Sequence, residues 1–294
     1  MDTNVRKVVF PVAGRGTRTL PASKAVPKEM LPVVDRPLIQ HAFEEAVASG
    51  IEQFIFVTGP DKGAIKDHFG RHEDLERVLR EAGKVRELAA VRDFVPDPGA
   101  INFVLQDEPK GLGHAVWCAR ELAAGEPVAV VLTDDLILSD TPCLAQLLAV
   151  QGELGGNVLA VMEVPKDQTS LYGVIEPGKE TGGAIAIEGL VEKPQPDAAP
   201  SNLAVIGRYV LQPEIFDELA SMEKGVGGEI QLTDALARLI GRMPFHAVRF
   251  EGKRFDCGST LGYLEANAAF GMAHTDTGPL LRAALTELLA DQGG

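Results

Sequence analysis

The residues best suited to chemistry in this chain stand together near its start: Arg15, Arg18, Lys24, Lys28 and Arg36. Between Gly14 and Arg36 only Glu29 and Asp35 oppose them, although the chain as a whole carries a net charge of −14. A cation cluster in so acidic a protein points to a bound anion rather than to a solvated face. The turn Ala13-Gly14-Arg15-Gly16-Thr17-Arg18 directly follows the apolar run Val8–Val12. Glycines let backbone N–H groups come close to an anion, and arginine and lysine neutralise it. Pro21 and Pro27 keep the next residues out of a regular helix. Together these features predict a phosphate cradle.

Two familiar phosphate loops do not fit. The dinucleotide fingerprint requires a third glycine where this chain has Thr19. A P-loop requires Gly-Lys followed by Ser or Thr, but Gly83-Lys84, Gly178-Lys179 and Gly252-Lys253 are followed by Val85, Glu180 and Arg254. Neither a dehydrogenase nor a P-loop ATPase is supported. The chain also offers no serine–histidine or cysteine–histidine arrangement for covalent catalysis.

The elements that must hold the cradle alternate as an α/β chain does. Val8–Val12, Phe54–Thr58, Ile101–Gln106 and Val128–Leu132 read as buried parallel strands. A helix is expected between Pro37 and Gly50, and another where Gly111-Leu112-Gly113 opens onto Ala115–Leu122. The charge-dense stretch from His72 to Arg92 reads as a solvated helical face. Val128–Leu132 delivers Thr133-Asp134-Asp135 at its carboxyl end, where open α/β sheets collect their ligands. From Val158 the texture changes to strands at Val158–Val164, Tyr172–Glu176, Ala184–Val191 and Leu203–Val210, joined by glycine and proline turns. Helices at Pro213–Met222 and Thr233–Ile240, a strand at Phe245–Phe250 and a helix through Leu261, Leu264 and Ala268 follow. The expected architecture is a Rossmann-like, mostly parallel central sheet flanked by helices, with a small antiparallel β extension over residues 158–211. One domain is expected to span 1–274, and residues 275–294 form a tail helix with Leu281, Leu285, Leu288 and Leu289 on one face.

Composition narrows the class. No apolar run approaches the ~18 residues of a membrane span, and the start of the chain is unlike a signal peptide. Cys118, Cys143 and Cys257 are few, odd in number and far apart, which favours a reducing compartment over a disulfide framework. The acidity argues against binding long nucleic acid. A cytoplasmic location without membrane or nucleic-acid partners is expected.

Gly14-x-Gly16-Thr17-Arg18 followed by Pro27-Lys28-Glu29-Met30-Leu31-Pro32 resembles the signature of the sugar-nucleotide pyrophosphorylases, or sugar nucleotidyltransferases. Further segments carry the likeness in order: Gly111–Val116 (GLGHAV), Leu190–Pro194 (LVEKP), Ala199–Leu211, Gly227–Ala235 (GGEIQLTDA) and Phe250–Ala266. Within the family, the chain is similar to the branch that joins UTP to glucose 1-phosphate. The resemblance covers roughly residues 5–270 and leaves out the tail. Arg15, where the family has a small or aliphatic residue, and Thr133, where the acidic motif begins with Gly or Pro, depart from the pattern.

The resemblance implies a nucleotide-diphospho-sugar transferase fold and the reaction UTP plus glucose 1-phosphate giving UDP-glucose and pyrophosphate. A thymidylyltransferase, or a nucleotide-binding regulatory relative with weak activity, remains open. Arg18, Lys28 and Lys193 are the implied catalytic cations, the last paired with the sugar phosphate. Ala13, Gly14, Gly16, Thr17, Gln106 and Gly111 would bind the nucleotide, with the Gln106 carboxamide offering uracil both a donor and an acceptor. Tyr172, Gly173, Glu192 and Lys193 would bind the sugar. Mg²⁺ is the implied cofactor, on Asp134 and, as a second carboxylate, Asp256. A homo-oligomer, dimer or tetramer, is implied as well. His114 reads as a helix N-terminal residue satisfied locally, and Trp117 as packing.

Overall fold

A computed structural model describes residues 5–221 and 223–291. Its first strand, β1 (Lys7–Pro11), leads into a glycine turn and three short 3-10 turns. A two-residue ribbon, β2 (Pro32–Val33) with β3 (Arg36–Pro37), then introduces α1 (Leu38–Ala48). There follow β4 (Gln53–Thr58), α2 (Gly63–His68), α3 (Glu73–Glu81), α4 (Val85–Arg92) and β5 (Ile101–Leu105). Next come α5 (Leu112–Cys118), α6 (Arg120–Ala123), β6 (Val128–Val131), β7 (Asp135–Leu138), α7 (Cys143–Leu154) and β8 (Asn157–Glu163). The second half holds β9 (Gly173–Thr181), β10 (Ala184–Glu192), β11 (Leu203–Leu211), α8 (Glu214–Ala220) and α9 (Leu232–Leu239). It closes with β12 (Phe245–Arg249), β13 (Lys253–Asp256), α10 (Thr260–Ala273) and α11 (Gly278–Asp291).

One nine-stranded sheet, ordered β5-β4-β1-β6-β11-β8-β12-β10-β9, runs through the molecule. The β5-β4-β1-β6 half is parallel. Strand β11 lies antiparallel between β6 and β8, and β12 runs parallel to β8. Alternate side chains of β1 serve two cores, as strand geometry requires. Val9 joins Ile55, Val116 and Leu236 on one face, whereas Val8 and Phe10 join Phe43, Phe56 and Leu147 on the other. A third, smaller cluster of Val33, Leu38, Leu136, Phe255 and Cys257 ties α10 to the two-stranded β7–β13 ribbon.

The antiparallel strands extend the parallel sheet, as expected, and continue it edge to edge. All nine residues of β11 are buried, because its neighbours cover both edges and helices both faces. Strand β9 reaches back to β11 through Ala204 and Val174, so the antiparallel half curls toward the end of β6. The stretch from His72 to Arg92 is two helices rather than one solvated face. It breaks at Gly83 (φ 68°), and Leu79 and Glu76 are buried. The helix expected at Pro213–Met222 ends at Ala220, and Met222 lies outside the described residues. Leu281 of the tail helix lies where a Cβ on Gly271 of α10 would come within 2.5 Å of it, while Leu288 and Leu289 are exposed. Residues 292–294 of the tail also lie outside the described residues. Among the described residues no helix is long and apolar enough to cross a membrane, and all three cysteines are free.

Candidate active site

The chain passes outward from β1 to β4 and β5, then returns to place β6 on the other side of β1. Neighbouring strands whose connections leave in opposite directions open a crevice at their carboxyl ends. Here β1 delivers the Gly14–Arg18 turn to that crevice, and β6 delivers Thr133-Asp134.

Lys28 and Asp134 meet across it, with Nζ 2.6 Å from Oδ2. Burial alone would push the Lys28 ammonium down and the Asp134 carboxyl up, but each charge holds the other. The Lys28 pKa is therefore raised and that of Asp134 lowered. Both stay ionised at neutral pH. Gly16 needs its left-handed backbone (φ 62°), and a Cβ there would sit 3.0 Å from Lys28 Cβ, so the turn packs directly on the lysine. The hydroxyls of Thr19 and Ser23 both donate to the Gly16 carbonyl, at 2.9 and 2.6 Å, and fix the turn. Beneath it Glu29 is buried and accepts from Lys62 Nζ at 2.6 Å. Burial pushes the Glu29 carboxyl up, and its Oε1 has no partner among the described residues. Arg18 is 67% exposed and reaches within 4.0 Å of Asp134. Its guanidinium lies over Gly258, where a Cβ would approach it to 2.8 Å. Gly14, Arg15, Thr17 and Lys24 are exposed.

The Asp134 turn is clamped from beneath by β11. Leu132 N–H donates to the Gly207 carbonyl at 2.8 Å, Gly207 N–H to Asp135 Oδ2 at 3.0 Å, and Arg208 to the Leu132 carbonyl at 3.0 Å. Arg208 is wholly buried and paired with Glu45 of α1 at 2.6 Å. From the other side Cys257 N–H donates to the Asp134 carbonyl at 2.8 Å, and Arg254 Nε to Asp135 Oδ1 at 2.7 Å. Pairing of β13 with β7 sets Asp256 opposite Asp135, and Asp256 Oδ1 also accepts from Gly258 N–H at 3.0 Å. Asp134, in the turn that leads into β7, and Asp256, at the end of β13, are thus carried by neighbouring segments: Asp134 meets Lys28 and Arg18, and a Cβ on Gly258 would meet both Arg18 and Asp256. Among the described residues no group of three His, Cys, Asp or Glu side chains could hold a metal. Two hard carboxylates suit a cation that takes its remaining ligands from phosphate and water, and suit zinc or iron poorly.

Beside the cradle, Ala13, Gly14, Arg15, Gln106, Gly111 and Glu229 line a cavity of about 560 Å³. No atom lies within 4 Å of a Cβ placed on Gly14, so open space stands over its backbone. Gly111 is required by its own backbone (φ 108°) and by Glu229 and Ile230, each within 2.8 Å of a Cβ there. Gln106 is buried at the end of β5, and its Nε2 donates to His114 Nδ1 at 2.8 Å and to the Gly111 carbonyl at 3.3 Å. The expectation that both ends of the carboxamide face the base is therefore narrowed: only Oε1 is left without a partner among the described residues.

The sugar-side candidates gather where β9 begins and β10 ends. Gly173 pairs with Glu192 across the strands, and a Cβ on Gly173 would meet Thr233 at 3.1 Å and Glu192 Oε2 at 3.4 Å. Lys193 has a left-handed backbone (φ 48°), rare for a residue with a side chain, and its ammonium lies 3.2 Å from Glu192. Tyr172 OH accepts from Arg254 at 3.1 Å, which links this region through Arg254 to Asp135 and the carboxylate ribbon. Arg254, Arg208 and Thr233 were not singled out from sequence. They act through partners far along the chain, and nothing local marks them.

Residues 7–271 match the nucleotidyl transferase family, and the chain belongs to it. A UTP–glucose-1-phosphate uridylyltransferase of Komagataeibacter xylinus is 50% identical over 257 residues, 87% of this chain and 90% of that one. The structure of a UTP-bound UGPase from Acinetobacter baumannii superposes with a TM-score of 0.89 at 40% identity, covering 97% of this chain and 99% of the other. A UDP-glucose pyrophosphorylase complexed with UDP-glucose gives a TM-score of 0.82 at 41% identity, covering 92% of this chain and 100% of the other.

Proposed function

We propose that this chain transfers the uridylyl group of UTP to glucose 1-phosphate, giving UDP-glucose and pyrophosphate. The observation that carries the reading is the Lys28–Asp134 pair beneath the Gly14–Arg18 turn, at the crevice between β1 and β6. It is supported by relatives named for that activity over most of both chains.

The nucleophile is a phosphate oxygen of glucose 1-phosphate, already ionised at neutral pH. It attacks the α-phosphorus of UTP while the bond to the bridging oxygen of the β-phosphate breaks and pyrophosphate leaves. No general base is required. The work left to the protein is to hold two anions in line and to neutralise charge. Arg18, exposed at the crevice within 4.0 Å of Asp134, and Lys28, fixed by Asp134, serve the triphosphate. Backbone groups of Ala13, Gly14 and Gly111 approach the nucleoside, with Gly16 and Thr17 shaping the turn, and Gln106 reads the base. Glu192 accepts from glucose hydroxyls, Lys193 pairs with the sugar phosphate, and Tyr172 and Gly173 form the wall opposite. Asp134 and Asp256 would hold Mg²⁺, which supplies further neutralisation of phosphate charge when bound.

Incubation with Mg²⁺, UTP and glucose 1-phosphate should give UDP-glucose and pyrophosphate in equal amounts, read by mass spectrometry and a pyrophosphate assay. Loss of UTP without UDP-glucose would contradict the reading.

A further inference from the structure

The Gln106 carboxamide is held by two groups that both accept. A carbonyl oxygen cannot donate, so the amide edge 3.3 Å from the Gly111 carbonyl must be the NH₂. The same Nε2 lies 2.8 Å from His114 Nδ1, which must then be the unprotonated ring nitrogen, with the proton on Nε2. The ring is steadied by stacking on Trp117, with centroids 5.9 Å apart, and by Cys118 Sγ at 3.9 Å from Nε2. Burial and the nearby Lys110 lower the His114 pKa, against an opposing pull from Glu108, so the neutral ring is the resting form. With the NH₂ committed inward, Oε1 has no partner among the described residues, on a side chain that lines the cavity beside the cradle.

We propose that His114 is a positioning residue for base selection: by fixing the Gln106 amide with Oε1 outward, it presents an acceptor where uracil carries its imide N–H. The inference rests on the reading that Gln106 meets the base, and it adds what sets the polarity of that contact. An outward acceptor meets a donor at N3 of uracil and a lone pair at N3 of cytosine. With the acceptor at His114 removed, only the long contact to Gly111 would restrain the amide. Rotation would then present NH₂ to the base for part of the time, weakening uracil and tolerating cytosine.

The test is steady-state kinetics with UTP and CTP for the wild type, His114→Ala, His114→Asn and Gln106→Ala, each checked for folding by circular dichroism. His114→Ala should raise KM for UTP and lower the UTP-to-CTP ratio of kcat/KM, each on the order of 10-fold, because mispaired buried polar groups discriminate on that scale. Its kcat at saturating UTP and its KM for glucose 1-phosphate should stay within about threefold of the wild type, since no phosphate or sugar contact is touched. His114→Asn, whose carboxamide oxygen can stand in for Nδ1, should recover most of the ratio. Long-range ¹H–¹⁵N NMR should find the His114 proton on Nε2. An unchanged ratio in His114→Ala alongside a collapsed one in Gln106→Ala would overturn the positioning role alone. An unchanged ratio in Gln106→Ala would overturn the reading of Gln106 beneath it. A proton on Nδ1 would also overturn the proposal.

Discussion

At the scale of single residues, the site separates groups that bear charge from groups that hold those groups in place. Lys28 and Asp134 are the clearest of the first kind, since each keeps the other ionised despite burial that opposes both. Lys28→Ala and Asp134→Ala should each lower kcat by on the order of 10²-fold or more, the scale for losing a preorganised charge at a transition state. Circular dichroism should be unchanged, and near-normal turnover in either variant would remove that residue from the mechanism. On the proposed function Glu192 serves the sugar side, so Glu192→Ala should raise KM for glucose 1-phosphate by on the order of 10-fold and leave KM for UTP nearly constant. A matching rise for both substrates would instead mean that the end of β10 had shifted.

At the scale of elements, the turn bearing Asp134 is only as firm as the strand beneath it. Arg208 of β11 spans from Glu45 on α1 to the Leu132 carbonyl, and it is wholly buried. Glu45→Ala would leave that guanidinium buried without its partner, at a cost of about 3–5 kcal/mol, measurable as an earlier urea midpoint. Gly111→Ala would force a side chain into a positive-φ position already crowded by Glu229 and Ile230. It should destabilise by about 1–3 kcal/mol and raise KM for UTP, because the Gly111 carbonyl helps to hold Gln106. The cradle was legible in the sequence because it is contiguous: glycines, prolines and cations lie within one stretch after one strand. Strands β1, β4 and β6 were legible because buried parallel strands are continuous apolar runs, whereas β5, expected to be buried, is the edge strand and only partly covered. The route of β11 between β6 and β8 was not, since nothing local specifies which strand an apolar run will pair with. The Arg254–Asp135 and Arg208–Glu45 pairs escaped notice for the same reason: their partners lie 119 and 163 residues apart. His114 was visible as a residue but not as a role, because its meaning depends on Gln106 turning its amide inward.

At the scale of the whole molecule, the proposed cradle follows β1, the carboxylates lie after β6 and in the separate β7–β13 ribbon, and the proposed sugar wall stands where β9 begins and β10 ends. The protein is strongly acidic, yet Arg15, Arg18 and Lys28 gather at the crevice, and on the proposed function they would draw polyanionic substrates to that one place. KM for UTP should therefore rise with ionic strength, and an insensitive KM would show that long-range charge plays no part. The central claim is that this site joins a uridylyl group to glucose 1-phosphate. The measurement that tests it most directly is the initial rate of pyrophosphate release with Mg²⁺, glucose 1-phosphate and, in separate reactions, UTP, dTTP, CTP or ATP. The account predicts the highest kcat/KM with UTP. A clear preference for dTTP, or UTP binding with no pyrophosphate above background, would contradict it.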